Sequence, residues 1–131
     1  MEKELNIASR VESLREVEKL VDEVSSKCKL SSEKYGNVMI ATLEAANNAI
    51  LHGNKLDERK DVNIIFDWTN SVLNLTVTDQ GKGFDFKSVP DPTSPDNVEK
   101  VNGRGVFLME KLSDEIDFIE NGRIVKLKFK L

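Results

Sequence analysis

The sequence predicts an α+β protein: a two-layer α/β sandwich with a mixed, mostly antiparallel sheet and its helices on one face. Three observations predict it. Two long segments place apolar residues at helical spacing, and later segments alternate apolar and polar residues in hairpin-like pairs. The last alternating run has one apolar face and one lysine face. A sheet with one wet face is antiparallel or mixed, and its dry face needs a helical layer. A chain of 131 residues suffices for one core but not two, so a single domain over residues 1–131 is expected.

Leu5 and Ile7 alternate with polar neighbours, which suits a short first strand at a sheet edge. Ser9 and Glu12 have the spacing of an S-x-x-E capping box, so a helix is expected to start there. Val11, Leu14, Val17, Leu20 or Val21, Val24 and Cys28 would form its apolar stripe. Cys28, the only cysteine, reads as a small buried apolar group and excludes an intrachain disulfide or a cysteine metal cluster. A second helix is expected from Ser31 or Ser32 to about Leu51 or His52, with Gly53 as its stop. Tyr35, Val38, Met39, Leu43, Ala46 and Ile50 form its apolar face. Glu44, Asn48 and His52, four residues apart, share a second, polar face.

After the polar linker KLDERKD the period changes to two. Val62, Ile64, Phe66 and Trp68, a turn at Thr69-Asn70-Ser71, then Leu73, Leu75 and Val77 read as an antiparallel hairpin. Gly81 to Gly105 is rich in Gly, Pro and Asp, and a loop this long in a compact domain is usually functional. A third helix is expected from about Arg104 to Leu112. Ile116 and Phe118, a turn at Asn121-Gly122, and Val125, Leu127, Phe129 and Leu131 close the chain as a second hairpin.

Composition narrows the function. Nineteen basic residues against twenty-three acidic ones give a net charge of −4, which argues against nucleic acid as the direct partner. The opening MEKELNIASR has no apolar core of a signal peptide, and no run approaches membrane-span length. A cytoplasmic protein without a membrane partner is expected.

Three local features carry chemistry. In the run from Glu44 to Gly53, one helical turn brings a carboxylate and the Asn48 amide oxygen into one space. An amide oxygen suits Mg²⁺ that also binds substrate phosphates, and the carboxylate suits proton acceptance from a hydroxyl or water attacking a terminal phosphate. In Asp79-Gln80-Gly81-Lys82-Gly83-Phe84, Asp79 shares the parity of Leu73, Leu75 and Val77 and therefore points into the buried layer. A carboxylate there needs a hydrogen-bond donor such as an exocyclic amine, and Gly81 and Gly83 permit close approach of a flat ligand. In Asn102-Gly103-Arg104-Gly105, backbone N–H groups at a helix start offer an anion site to which Arg104 adds charge. Each feature alone is also what a solvated helix face, a strand-end turn or a helix cap would show.

In order, spacing and setting the three resemble the N, G1 and G2 boxes of the gyrase/histidine-kinase ATPase superfamily. The whole pattern more closely resembles the anti-sigma factor serine/threonine kinases, including FDFKSVPDP after the second box and GRGVFLMEKLSDEI at the third. The resemblance implies ATP and Mg²⁺ as cofactors, with Glu44 as general base and Asn48 as the metal ligand. It implies Asp79 as the adenine-reading carboxylate, Gly81, Gly83, Gly103 and Gly105 as hinge and phosphate glycines, and an ATP lid over about 86–101. It further implies a homodimer that phosphorylates an anti-anti-sigma protein of the STAS fold, sequesters a sigma factor, or both. The sequence departs from the family near the final strand, where a threonine often assists the adenine-reading carboxylate. Gly122-Arg123-Ile124-Val125 has no hydroxyl. That departure keeps open an alternative, a non-catalytic signalling module that binds ATP or its partner without transferring phosphate.

Overall fold

A computed structural model describes residues 1–81 and 101–131, and for residues 101 and 102 the backbone alone. The chain runs β1 (Glu2–Ala8), α1 (Leu14–Cys28), α2 (Ser32–Asn48), β2 (Asp61–Trp68), β3 (Val72–Thr78), α3 (Val101–Leu112), β4 (Glu115–Ile119) and β5 (Ile124–Lys130). The strands form one sheet in the order β1-β2-β3-β5-β4, and every neighbouring pair is antiparallel. The expected α+β sandwich is therefore present, without a parallel pair among the described residues, and β1 lies at an edge as the sequence suggests.

Strand parity decides which face is dry. Val62, Ile64, Phe66 and Trp68 of β2, Leu73, Leu75 and Val77 of β3, and Val125, Leu127 and Phe129 of β5 are all buried. Their register partners lie side by side: Ile64 opposite Val77, Phe66 opposite Leu75, Leu75 opposite Leu127. Onto this face pack Val17, Leu20, Val21 and Val24 of α1, Val38, Ala41, Ala45 and Ala46 of α2, and Val106 and Met109 of α3. The alanines of α2 are too small to hold it off its neighbours, so α2 sits tightly between α1 and α3. That placement carries its polar side chains to the start of α3.

Several expectations are corrected. The Ser9–Glu12 capping box does not form: a 3₁₀ turn spans Val11–Ser13, and α1 begins at Leu14 without a side-chain cap. Ser9 is fully buried, and its hydroxyl instead donates to the Lys60 carbonyl at 2.6 Å. Tertiary partners outcompete the local cap. Val11, outside the helix, is exposed rather than part of the stripe, and Cys28, at the helix end, is only half-buried. α3 starts three residues before the expected Arg104, at Val101. By contrast, Ser31 caps α2 as expected, its Oγ accepting from the Lys34 N–H at 3.2 Å. Among the described residues no helix is long and apolar enough to cross a membrane.

Candidate active site

α2 does not stop at Gly53 in an ordinary cap. From Ala49 to Gly53 it widens into a π turn, in which the Asn54 N–H reaches the Ala49 carbonyl at 2.8 Å. Lys55 and Leu56 then take left-handed conformations, with φ of 52° and 60°, and reverse the chain. Such widened turns concentrate at functional sites because they displace the residues that follow from the regular helical face. Here the displaced residue is Gly53, which lies directly against Asp79.

Asp79 follows β3 and is buried at 2% exposure. Its Oδ1 accepts the Gly81 N–H at 2.8 Å. The backbone around it is held from β5, the Asp79 N–H donating to the Arg123 carbonyl at 3.0 Å. Burial pushes its carboxyl above the ordinary carboxylate range, while the Gly81 N–H and the charges of Arg123 and Lys60 pull the other way. The fit around it excludes side chains: a Cβ at Gly53 would lie 2.2 Å from Asp79 Oδ2, and one at Gly81 would lie 1.9 Å from the Gly53 carbonyl oxygen. Two backbones and a carboxylate thus close on one another with no room for a methyl group.

Farther back along α2, Asn48 is buried at 2% exposure, yet neither its Oδ1 nor its Nδ2 has a hydrogen-bond partner among the described residues. Glu44 Oε2 and His52 Nε2 are likewise buried and unpartnered there. Burial lowers the imidazole pKa of His52, which favours its neutral form. A Cβ at Gly105 would lie 3.1 Å from Asn48 Oδ1, 3.1 Å from Glu44 Oε2 and 3.2 Å from Asn48 Nδ2. So α3, through a glycine, closes against polar atoms that water or a ligand would otherwise have to satisfy. Leaving such groups unpaired costs about 1–3 kcal/mol each, which native folds tolerate where a ligand completes the set.

A family model described as a histidine kinase-like ATPase domain matches residues 7–129. The chain belongs to this family. It is 33% identical over 99 residues to the serine-protein kinase RsbW of Bacillus licheniformis, covering 71% of this chain and 62% of that protein. It is 28% identical over 119 residues to the serine-protein kinase RsbW of Bacillus subtilis, covering 86% and 74%. The first of these matches thus spans less than two thirds of the relative's length. A solved structure of the RsbU and RsbW domains of a Mycobacterium tuberculosis protein superposes with a TM-score of 0.68 over 99% of this chain and 32% of that one, at 13% identity. At that identity the likeness speaks for the fold.

Within this ATPase domain the structure brings Glu44, Asn48 and Gly105 together, and separately Asp79 and Gly81; the π turn of α2 links the two groups. Gly103 is buried beside Arg104, which is exposed and pairs with Glu44, Nη2 to Oε1, at 3.6 Å. Gly83 and the expected lid, apart from the backbone of Val101, lie outside the described residues. Among the described residues no three His, Cys, Asp or Glu side chains cluster as a metal cage. The donors that are present, the Asn48 amide oxygen above all, fit a hard cation carried in with phosphates.

Three contributors escape the sequence reading. Gly53 appears there only as a helix stop, whereas its missing Cβ makes room for Asp79. Asn54 is buried at 2% exposure and joins three segments. Its Nδ2 donates to Ser9 Oγ at 2.9 Å and to the Asp61 carbonyl at 3.0 Å, and its Oδ1 accepts the Gln80 N–H at 2.7 Å. Arg123 stands where the family often has a hydroxyl nearby; its guanidinium donates to the Asp79 carbonyl at 3.3 Å and pairs with Glu120. The Asn directly after the Gly of the first motif is the one signal that could have drawn attention to Asn54.

Proposed function

We propose that this chain, acting as one domain, is an ATP-dependent serine/threonine protein kinase of the anti-sigma type, cytoplasmic and working as a homodimer. Its substrate on this reading is a hydroxyl of a STAS-type anti-anti-sigma protein, and a sigma factor is a second partner that it sequesters. The observation that carries the reading is the set of buried polar atoms on Asn48 and Glu44, packed against Gly105 and without partners among the described residues. The names of the RsbW relatives support the reaction class.

Mg·ATP, when bound, supplies the transferable phosphoryl group and a positive charge that neutralises the phosphate oxygens. Asn48 would hold the metal through Oδ1. Asp79 would accept from the adenine amine, held in place by the backbones of Gly53 and Gly81 packed closely against it. The free N–H groups of the first turn of α3, that of Gly103 among them, would receive the phosphates with Arg104, while the missing side chain of Gly105 lets α3 close on Asn48 and Glu44. Glu44 would take the proton of the attacking serine or threonine hydroxyl as its oxygen bonds to the terminal phosphorus and the bond to the ADP leaving group breaks.

The test is calorimetric titration with ATP, with and without Mg²⁺, on the wild type and on Glu44→Ala. Saturable Mg²⁺-dependent binding is expected in both, with phosphoryl transfer lost in the variant. Full transfer by Glu44→Ala refutes the base assignment, and no binding by the wild type refutes the site. The absence of a hydroxyl in Gly122–Val125 favours a second reading, a module that holds nucleotide or partner without transfer. On that reading the wild type binds ATP and transfers nothing to any STAS-type protein.

A further inference from the structure

We propose that Arg104 is a partner-exchanging positioning residue: without nucleotide it is held on the carboxylate of Glu44, and on ATP binding it leaves Glu44 for the phosphates. The inference rests on the nucleotide site proposed above and adds a role for the contact between two of its residues.

The two oxygens of Glu44 are in different situations. Oε1 pairs with Arg104 Nη2 at 3.6 Å. Oε2 is buried, faces the α-carbon of Gly105 and has no partner among the described residues. The carboxylate is largely buried, at 15% side-chain exposure, whereas the guanidinium is 55% exposed. A largely buried carboxylate wants a counter-charge, and Arg104 provides it from the solvent side. The contact is long, and Arg104 is not bidentate on it. An ion pair this exposed shifts an equilibrium by about fivefold at most. It is firm enough to hold the charge in place and weak enough to surrender it to a polyanion.

The backbone makes the exchange local. Gly103 and Gly105 flank Arg104 and are both buried, so the first turn of α3 is packed against α2 while the Arg104 side chain projects from it. The guanidinium therefore starts from a fixed Cα, beside both Glu44 and the N–H groups of the helix start. Asn48, buried and with an amide that has no partner among the described residues, lies in the same recess and marks it as built for a ligand. Arg104 holds Glu44 by one long contact only, so turning its rigid fork of donors bidentately onto a phosphate takes it off Oε1. Release of Oε1 then coincides with arrival of the nucleotide, and the carboxylate becomes free to accept a proton only when there is phosphate to transfer.

A double-mutant cycle read by Mg·ATP affinity tests this, since exchange and simple charge repulsion predict different patterns. Glu44→Gln removes both the hold on Arg104 and any repulsion between the carboxylate and the triphosphate. In an Arg104→Ala background, Glu44→Gln relieves repulsion alone. If Arg104 exchanges partners, Glu44→Gln tightens ATP binding about two- to fivefold more in the wild-type background than in Arg104→Ala. Arg104→Lys, which keeps the charge, is expected to retain part of that excess. Equal gains in the two backgrounds, or a larger gain in Arg104→Ala, mean that Arg104 stays on Glu44 in the bound state and overturn the exchange. No ATP binding by the wild type overturns the site reading and this inference with it. Melting curves of the four proteins confirm that each is folded before its affinity is compared.

Discussion

Adding one methyl group at Gly53 is the sharpest probe of how this site is built. In Gly53→Ala the new Cβ would stand 2.2 Å from Asp79 Oδ2 and 2.4 Å from its Cγ. Ordinary contact begins near 3.4 Å, so more than an ångström must open. Asp79 has little freedom to move away, because its Oδ1 holds the Gly81 N–H at 2.8 Å and its own N–H is bonded to Arg123. Gly81 in turn rests on the Gly53 carbonyl, so the loop cannot slide as a unit. Overpacking of this kind costs about 1–3 kcal/mol. With two backbones and a buried carboxylate involved, the upper part of that range is expected, a fall in Tm of roughly 8–12 °C for a chain of this size. ATP affinity should fall with it. Gly36→Ala is the matched control: nothing lies within 4 Å of its Cβ, and the position is inside α2. There the same methyl should stabilise by about 0.5–1 kcal/mol. Thermal melts of both variants, with an ATP titration of the first, decide the matter. A Gly53→Ala protein that melts within about 2 °C of wild type and binds ATP normally refutes the packing argument.

Two further predictions follow from the same neighbourhood. Asp79→Asn keeps an oxygen for the Gly81 N–H and removes a buried charge, so it should abolish ATP binding while stabilising the free protein by about 1 kcal/mol at neutral pH. Because burial raises the Asp79 pKa above its ordinary 3.8, the folded protein takes up the proton before the unfolded chain does. Wild-type stability relative to Asp79→Asn therefore improves as pH falls through the raised value, and the gap levels off below 3.8; a gap that widens on acidification contradicts the assignment. Asn54→Ala strands the Gln80 N–H and takes one partner each from the Asp61 carbonyl and the Ser9 hydroxyl, which keeps its bond to Lys60, and should cost about 2 kcal/mol by urea denaturation. A loss under about 1 kcal/mol would show that water replaces the side chain.

The sheet was legible because each strand alternates cleanly. The parity of Val62 to Trp68, Leu73 to Val77 and Val125 to Phe129 fixes which face is dry, and a one-residue slip would expose all of it. The burial of Asp79 followed from the same parity. What stayed illegible depends on contacts distant in sequence. Ser9 looks like a helix cap until Asn54 and Lys60 claim its hydroxyl. Gly53 looks like a helix stop until Asp79 is seen against its α-carbon. Asn54 reaches Gln80 across 26 residues, and no local pattern encodes that. The ion pair between Arg104 and Glu44 is of the same kind, since each residue was read for its own motif and the two motifs meet only in the fold.

The two groups of site residues also differ in what the free protein does with them. Around Asp79 the polar atoms are largely satisfied, by Gly81, Arg123 and the Asn54 network, and the glycines leave no slack. That part is preorganised and should change little when occupied. Around Glu44 and Asn48 buried polar atoms lack partners among the described residues, and there the Arg104 guanidinium supplies a counter-charge to Glu44. A ligand that satisfies these atoms therefore adds stability that contacts with already paired groups do not. The proposed site therefore predicts that ATP with Mg²⁺ raises the melting temperature well beyond what adenosine achieves, since adenosine would reach only the Asp79 end. On the proposed reading, adenine recognition and phosphate recognition are separable in this fold: the packed end around Asp79 selects the base, and the end around Glu44 and Asn48 takes the charge.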